Sequence, residues 1–442
     1  MQVIQITIEK KVTLAIFSLF FFVMSFQSKS FAASTPSSAS SNEVPTVMVT
    51  GGNAALLKVA LPPFEGDPTL ARKAYDTVAR DLRFLNLFQF LDPKSFLTTT
   101  IKEEIQPASW RNIGAEAVVH GIVSKEEKRI RVLFRLFLVS RGGQPIFKQG
   151  LSIPLSESQL YITTHEFANE VVRVLTGTRG YFETRLVYNE VKGKGISTVA
   201  MHGKINKEKT VSLVALMPSF GPRGAIYHIG SIGKGAYAVF QVEDFSAKSR
   251  PKLAFKVDGM VLGLAMHNRK MAAVTLTRPS NQVQLITADF DGTIPSGITR
   301  MKGPVANYAH PAFSASGKLA YVSDEQGTPQ IFVEGKRISW QGTYNVAPAW
   351  CNYPGGERIL FMGRVERGVW DVFSVSPDGK DLKRLTQNQG SNTYPACSPD
   401  GRMVAFFSTR SGGGIFLTDL DGTNPQLLSK GMGESLRWEQ KN

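Results

Sequence analysis

The stretch Cys397-Ser398-Pro399-Asp400-Gly401 puts a thiol, a hydroxyl and a carboxylate within four residues. Nucleophilic catalysis draws on such groups when a base lies beside them. The same Ser-Pro-Asp-Gly tetrad recurs at Ser376–Gly379. A reaction centre would not be built at two inequivalent places in a repeat, whereas a turn would. Pro presets φ, Asp bonds its own backbone and Gly accepts the left-handed position. Both tetrads therefore read as hairpin turns. No Gly-x-Ser-x-Gly occurs, so the nucleophile elbow of the α/β-hydrolases is missing. "HIGSIGKGA" begins on His228 where a phosphate loop needs Gly, and Ala236 follows Gly235 where Lys-Ser or Lys-Thr is wanted. "VKGKGIST" lacks the third glycine of a dinucleotide loop. The six histidines never pair at metal-ligand spacing, and His120 and His165 read as packing residues on a strand and a helix. "DFDGT" and "DLDGT" open like calcium loops but have no acidic residue at the twelfth position. No catalytic set, cofactor or metal is expected.

Beyond residue 178 the chain is short strands and Gly, Pro and Asp turns, and it repeats. "PSFGPRGAIYHIG" from Pro218, "PAFSASGKLAYVS" from Pro311 and "PACSPDGRMVAFFS" from Pro395 align without a gap through their first ten residues. "LAMHNRKMAAVTL" from Leu264 and "PAWCNYPGGERILFMG" from Pro348 fit with small length changes, and "LRWEQ" at Leu436 begins a sixth unit. The starts are 46, 47, 37, 47 and 41 residues apart, close to the roughly 40–50 of a four-stranded propeller blade. "DVFSVSPDGKDLKRLT" and its equivalents supply a second hairpin per unit. The sixth unit ends after one strand, so its other strands must come from upstream. "TRLVYNE" from Thr184, "GISTVAMHGK" and "EKTVSLVAL" are the candidates. A six-bladed β-propeller closed by N- and C-terminal strands in one blade is expected, with no free sheet edge.

Upstream, residues 58–178 read as an α+β domain. Asp67 caps a helix running to about Leu85, with Leu70, Ala74, Val78 and Leu82 on one face. "PASWRNIG" reads as a helix, and "KRIRVLFRLFLVS" and "QPIFKQGLSIP" as strands paired across Gly142-Gly143. A last helix, Ser158 to Leu175, ends at Gly177 as a C-cap. Residues 34–57 form an arm that opens with a Ser/Pro-rich run, and the propeller covers 179–442. Residues 1–33 carry Lys10 and Lys11, the apolar run Val12–Phe26 and small residues around Ala32. That is the order of a secretory signal peptide cleaved near Ala32; an uncleaved anchor is the alternative. Export to the periplasm as a soluble monomer is expected.

The formal charge is +15, and about +13 once Lys10, Lys11 and Lys29 leave with Glu9. Lys and Arg are scattered along the chain rather than interleaved with aromatics in a patch, which argues against nucleic acid as a partner. Cys351 and Cys397 are too few for a disulfide framework; a single bridge stays open.

The most informative residues lie where one unit passes into the next: "VANYAH" (305–310), "TYNVA" (343–347) and "GSNTY" (390–394). In a propeller these connections line one rim of the channel. Asn307, Tyr308, His310, Tyr344, Asn345, Asn392, Thr393 and Tyr394 would form a ring of amides and aromatics suited to protein recognition. The alternative is that Asn and Thr only cap turns.

The chain resembles the TolB family of the Tol–Pal system over nearly its whole mature length. The likeness rests on "ALPPF", "DLRFLNLFQFLDP", "IQPASWRNIGAEAVVHGIV" and "VVRVLTGTRGYFETRLVY" in the first domain. In the propeller it rests on "PAFSASGKLAYVSDEQGTPQIF", "RISWQGTYN" and "YPACSPDGRMVAFFS". The resemblance implies a non-enzymatic periplasmic adaptor supporting outer-membrane integrity and envelope constriction in division. It implies that the channel rim holds the peptidoglycan-associated lipoprotein Pal. It also implies that the arm, through Val47, Met48 and Val49, adds a strand to an inner-membrane TolA-like protein. The competing readings are a channel-face hydrolase or lyase acting on glycans or peptides, and a peptidoglycan-binding module.

Overall fold

Asp67 accepts hydrogen bonds from the amides of Thr69 at 3.1 Å and Leu70 at 3.0 Å, and so starts helix α1, Pro68–Phe84. Ala74, Val78 and Leu82 are buried along its inner face, with Leu70 at the margin. Helix α2 is Pro107–Asn112, and helix α3, Glu157–Thr176, ends where Gly177 takes φ 78° and its N–H reaches the carbonyl of Arg173. The structure, a computed structural model, describes residues 56–191, 195–207, 214–233, 236–242, 250–277, 280, 282–353, 355–365 and 368–440. The expected signal peptide and the arm residues Val47, Met48 and Val49 lie outside the described residues.

The helices pack on a mixed sheet ordered Phe88–Phe90, Leu57–Ala60, Ala117–Glu126, Arg129–Leu138, Phe147–Pro154. Its first three strands are parallel and its last three antiparallel, and Arg129–Leu138 pairs with Phe147–Pro154 across the expected turn. Phe134 stacks on Phe167 of α3, ring centroids 4.5 Å apart, inside a core that runs on through Phe182 and Leu186 to Trp438.

Six four-stranded antiparallel sheets follow. Their inner strands are Ala215–Phe220, Met260–Met266, Tyr308–Phe313, Asn345–Tyr353, Asn392–Cys397 and Gly433–Trp438, which we number as blades 1 to 6. The fold is the six-bladed propeller with an α+β N-terminal region that the repeats led us to expect.

In blade 6 the C-terminal strand pairs with Arg185–Glu190, followed outward by Ile196–Ala200 and Ile205–Lys207. The fourth strand is described at Ile205–Lys207, just ahead of "EKTVSLVAL"; residues 208–213 of that stretch lie outside the described residues, and Ala215 and Leu216 open the inner strand of blade 1. Gly203 turns the chain at φ 83° directly after the third strand, which brings Ile205 straight into the fourth. Arg185 and Glu439 form a 2.9 Å ion pair across the closure, and Trp438 Nε1 donates to Thr184 Oγ1 at 2.8 Å.

Each inner strand shifts register once. In five blades the extra residue sits in the left-handed region: Met217 (φ 50°), His310 (46°), Ala347 (54°), Tyr394 (50°) and Ser435 (55°). Four of these precede a proline. The proline removes a ladder donor where the bulge already interrupts pairing. The result is one ring of bulges around the channel.

Candidate protein-binding rim

The blade-to-blade connections and their bulges set the rim. Asn307 is exposed, and its backbone N–H and Nδ2 both donate to Asp324, at 2.8 and 2.7 Å. Tyr308 is buried, with its hydroxyl donating to the carbonyl of Pro304 at 2.9 Å. Asn345 and Asn392 open the inner strands of blades 4 and 5 and are 1 % and 0 % exposed. Asn345 Nδ2 donates to Gln330 Oε1 and to the carbonyl of Gln341, both at 2.7 Å. Asn392 Nδ2 donates to Asp371 Oδ1 and to the carbonyl of Gly390, both at 3.0 Å, and its oxygen accepts from Arg410 Nη2 at 3.0 Å. These two amides form the wall behind the rim. They position it, and their hydrogen bonds are already taken.

Asp371 is the hub of that wall, accepting also from Arg384 Nε at 2.9 Å and from the Thr386 hydroxyl at 2.7 Å. A buried carboxylate is tolerated only when its lone pairs are satisfied in this way.

The remaining members face outward. Tyr344 is 40 % exposed and packs edge-on against Trp370, centroids 5.6 Å apart. Thr393, Tyr394 and His310 are half-buried. His310 and Tyr394 bring their rings to 6.5 Å. Burial, then the nearby Arg437 charge, lowers the His310 pKa to about 4, so the imidazole is neutral near pH 7. Burial, then the Glu434 carboxylate, pushes the Tyr394 phenol up to about 12. The His310–Tyr394 pair is thus uncharged and aromatic near pH 7, with the Arg437 and Glu434 charges beside it.

Two exposed residues outside the expected set lie in the same blade-to-blade connections. Trp340, 65 % exposed, lies in the connection into blade 4 beneath the guanidinium of Arg337, 4.4 Å from its ring centroid. Val305 is 91 % exposed in the connection into blade 3. A tryptophan in "RISWQG", between two repeat units, was the signal for the first.

The Ser398–Gly401 turn lies at the other ends of the inner strands. Asp400 Oδ1 accepts from the Ser398 hydroxyl at 2.5 Å and from the Arg402 amide at 3.2 Å. Both side chains are buried, and Cys397 is bonded to Cys351 of the neighbouring inner strand. His120 and His165 are buried, His120 Nε2 at 2.8 Å from Glu65 and His165 Nδ1 at 2.5 Å from Asp81. Among the described residues, no three His, Cys, Asp or Glu side chains are grouped as a metal site would need.

The fold is that of a six-bladed β-propeller protein carrying an N-terminal α+β region. The model of the TolB amino-terminal domain matches residues 45–145, and that of the TolB beta propeller domain matches residues 264–437. The chain belongs to the TolB family. Relatives include the Tol-Pal system protein TolB of Roseobacter denitrificans, 28 % identical over 46 % of this chain and 50 % of that protein. The protein of the same name from Bordetella pertussis is 24 % identical over 85 % of this chain and 66 % of its own. The chain therefore matches between half and just under two thirds of the length of these relatives. The crystal structure of TolB from Acinetobacter baumannii superposes with a TM-score of 0.67 at 19 % identity, covering 88 % of this chain and 98 % of that one.

Proposed function

We propose that this protein is a non-enzymatic periplasmic adaptor of the Tol–Pal system that holds a Pal-like outer-membrane lipoprotein on the channel rim. The observation that carries the reading is the rim itself: exposed Trp340 and Tyr344 around a half-buried His310–Tyr394 pair. Large aromatics with little conformational entropy to lose, set around a partly desolvated centre, are what protein-binding hot spots are made of. Asn307, Thr393 and Val305 extend that surface, while Tyr308, Asn345 and Asn392 hold it in place. The arm, through Val47, Met48 and Val49, would add a strand to an inner-membrane TolA-like partner. The adaptor would thereby support outer-membrane integrity and constriction during division. Export is supported by the leader pattern of residues 1–33 and by the Cys351–Cys397 disulfide, which persists in an oxidising compartment.

The test is calorimetric titration of the mature protein with the soluble domain of a Pal-like lipoprotein from the same cell. Saturable binding, weakened by Tyr344→Ala and Tyr394→Ala, is expected. No binding, where a control TolB binds its own partner, overturns the proposal. Binding that both variants leave unchanged removes the rim assignment.

A further inference from the structure

In five of the six blades, the residue that follows the bulge in the inner strand lines a cavity of about 300 Å³. At the register directly after the bulge, blades 3, 4 and 5 carry Ala312, Ala349 and Ala396, and blade 1 carries Ser219. Blade 6 carries Arg437 there. One guanidinium thus enters a ring of small side chains, and all five residues line the cavity. Among the described residues, the only hydrogen bond of Arg437 is from Nη1 to the carbonyl of Leu436, a long one at 3.4 Å, and no carboxylate lies within ion-pair reach. Its neighbour Glu439 is committed to Arg185, and Glu357, at the mouth of the cavity, to Lys318 Nζ at 2.7 Å. The walls are aromatic: Trp350, Phe313, Trp438 and Tyr181.

From this geometry we infer a second binding site, for a carboxylate carried by a ligand of one or two amino-acid residues. Arg437 is half-buried in this confined cavity, and a guanidinium partly shielded from water without a counter-ion gains from a carboxylate that pairs with its planar fork. The fork donates to both oxygens at once, which makes the pairing directional. The volume is at the lower end of small-ligand pockets, at roughly 300–1,000 Å³, so a whole domain does not enter. The carboxylate is either the end or side chain of a peptide or a free small acid.

The probes are N-acetylglycylglycine, its C-terminal amide and acetate. They are titrated into the intact mature protein while the indole N–H signals of Trp350 and Trp438 are followed by NMR. The dipeptide acid is expected to shift these signals saturably and the amide is not. Arg437→Met should weaken the acid on the order of tenfold or more, the loss of one charge-assisted hydrogen-bonded pair, and Arg437→Lys should retain part of the binding. Acetate matching the dipeptide assigns the site to free small acids; a clear preference for the dipeptide assigns it to peptide ends. The inference is overturned if acid and amide behave alike, if no probe moves the signals, or if Arg437→Met binds as the wild type does. Should that variant not fold, the acid–amide comparison on the wild type decides alone. None of His310, Tyr344 and Tyr394 lines this cavity, so failure here leaves the lipoprotein reading untouched.

Discussion

His310 and Tyr394 meet across the propeller channel with ring centroids 6.5 Å apart and planes at 62°, although the inner strand of blade 4 stands between theirs in the ring. They can meet because blade 4 places Ala347 at the equivalent bulge, where a larger side chain would part them. Both project from left-handed positions before prolines. A conformation that costs about 1–2 kcal/mol for a residue with a Cβ is thus repeated around the ring to aim side chains at the axis.

Tyr394→Ala is expected to weaken lipoprotein binding roughly tenfold to hundredfold, the range of a central aromatic hot spot. The effect on the urea unfolding midpoint should be the smaller of the two. Titration calorimetry beside urea denaturation separates them.

Asp371→Ala removes the acceptor shared by Arg384, Thr386 and Asn392. The loss should be about 3 kcal/mol, as for other broken buried charge networks, read from urea unfolding monitored by tryptophan fluorescence. Because Asn392 is then held only by Gly390 and Arg410, rim binding should weaken as well.

Reduction of the Cys351–Cys397 bond frees the inner strands of blades 4 and 5 from each other. With the two cysteines 46 positions apart, chain entropy alone gives about 4 kcal/mol of stabilisation. Unfolding with and without reductant measures it, and a Cys351→Ala/Cys397→Ala double variant should show no response to reductant.

His120, His202, His228 and His310 all have pKa values lowered to about 4, with burial as the first cause in each. Between their ordinary value near 6.5 and about 4 the unfolded chain binds more protons than the folded one. Their contribution is therefore complete above pH 6.5 and is lost as pH falls toward 4. For fully buried His228 the loss is on the order of 3 kcal/mol. Asp81 and Asp400, whose carboxyls burial pushes up, act in the opposite sense as pH rises. His228→Phe, which keeps the ring beside Phe240, should flatten the acid limb of the unfolding curve.

Gly401→Ala tests the Ser-Pro-Asp-Gly turn as scaffold. Gly401 has φ +70°, and a Cβ there would lie 2.2 Å from the carbonyl oxygen of Asn352 in the next inner strand. A loss of at least about 2 kcal/mol is expected. A well-folded variant with lost partner binding would instead make the turn a contact site.

The blade count, the closing strand pair and both long helices were legible in the sequence because they rest on short-range rules. Period-two strands, Asp-Gly turns and a capping Asp67 act within a few residues, and repetition made the pattern visible above its noise. The rim connections were legible for the same reason, since they fall at one fixed place in each unit. What a polar side chain does there was not. Asn307, Asn345 and Asn392 look alike in "VANYAH", "TYNVA" and "GSNTY", yet one is exposed and two are sealed in the wall. The difference lies in Gln330 and Asp371, acceptors 15 and 21 residues upstream, on the third strands of blades 3 and 4. Arg437 was hidden in "LRWEQ", where nothing local distinguishes a surface arginine from one facing a channel.

The sequence by itself thus determined the architecture: an α+β region, six blades, and closure by both ends of the propeller. Only the tertiary structure decided which side chains face the channel, that Cys351 meets Cys397, and that His310 reaches Tyr394 past Ala347. Closing a ring brings together residues that local propensity never relates. Whether a given Asn or Arg is spent on the fold or left for a partner depends on that closure.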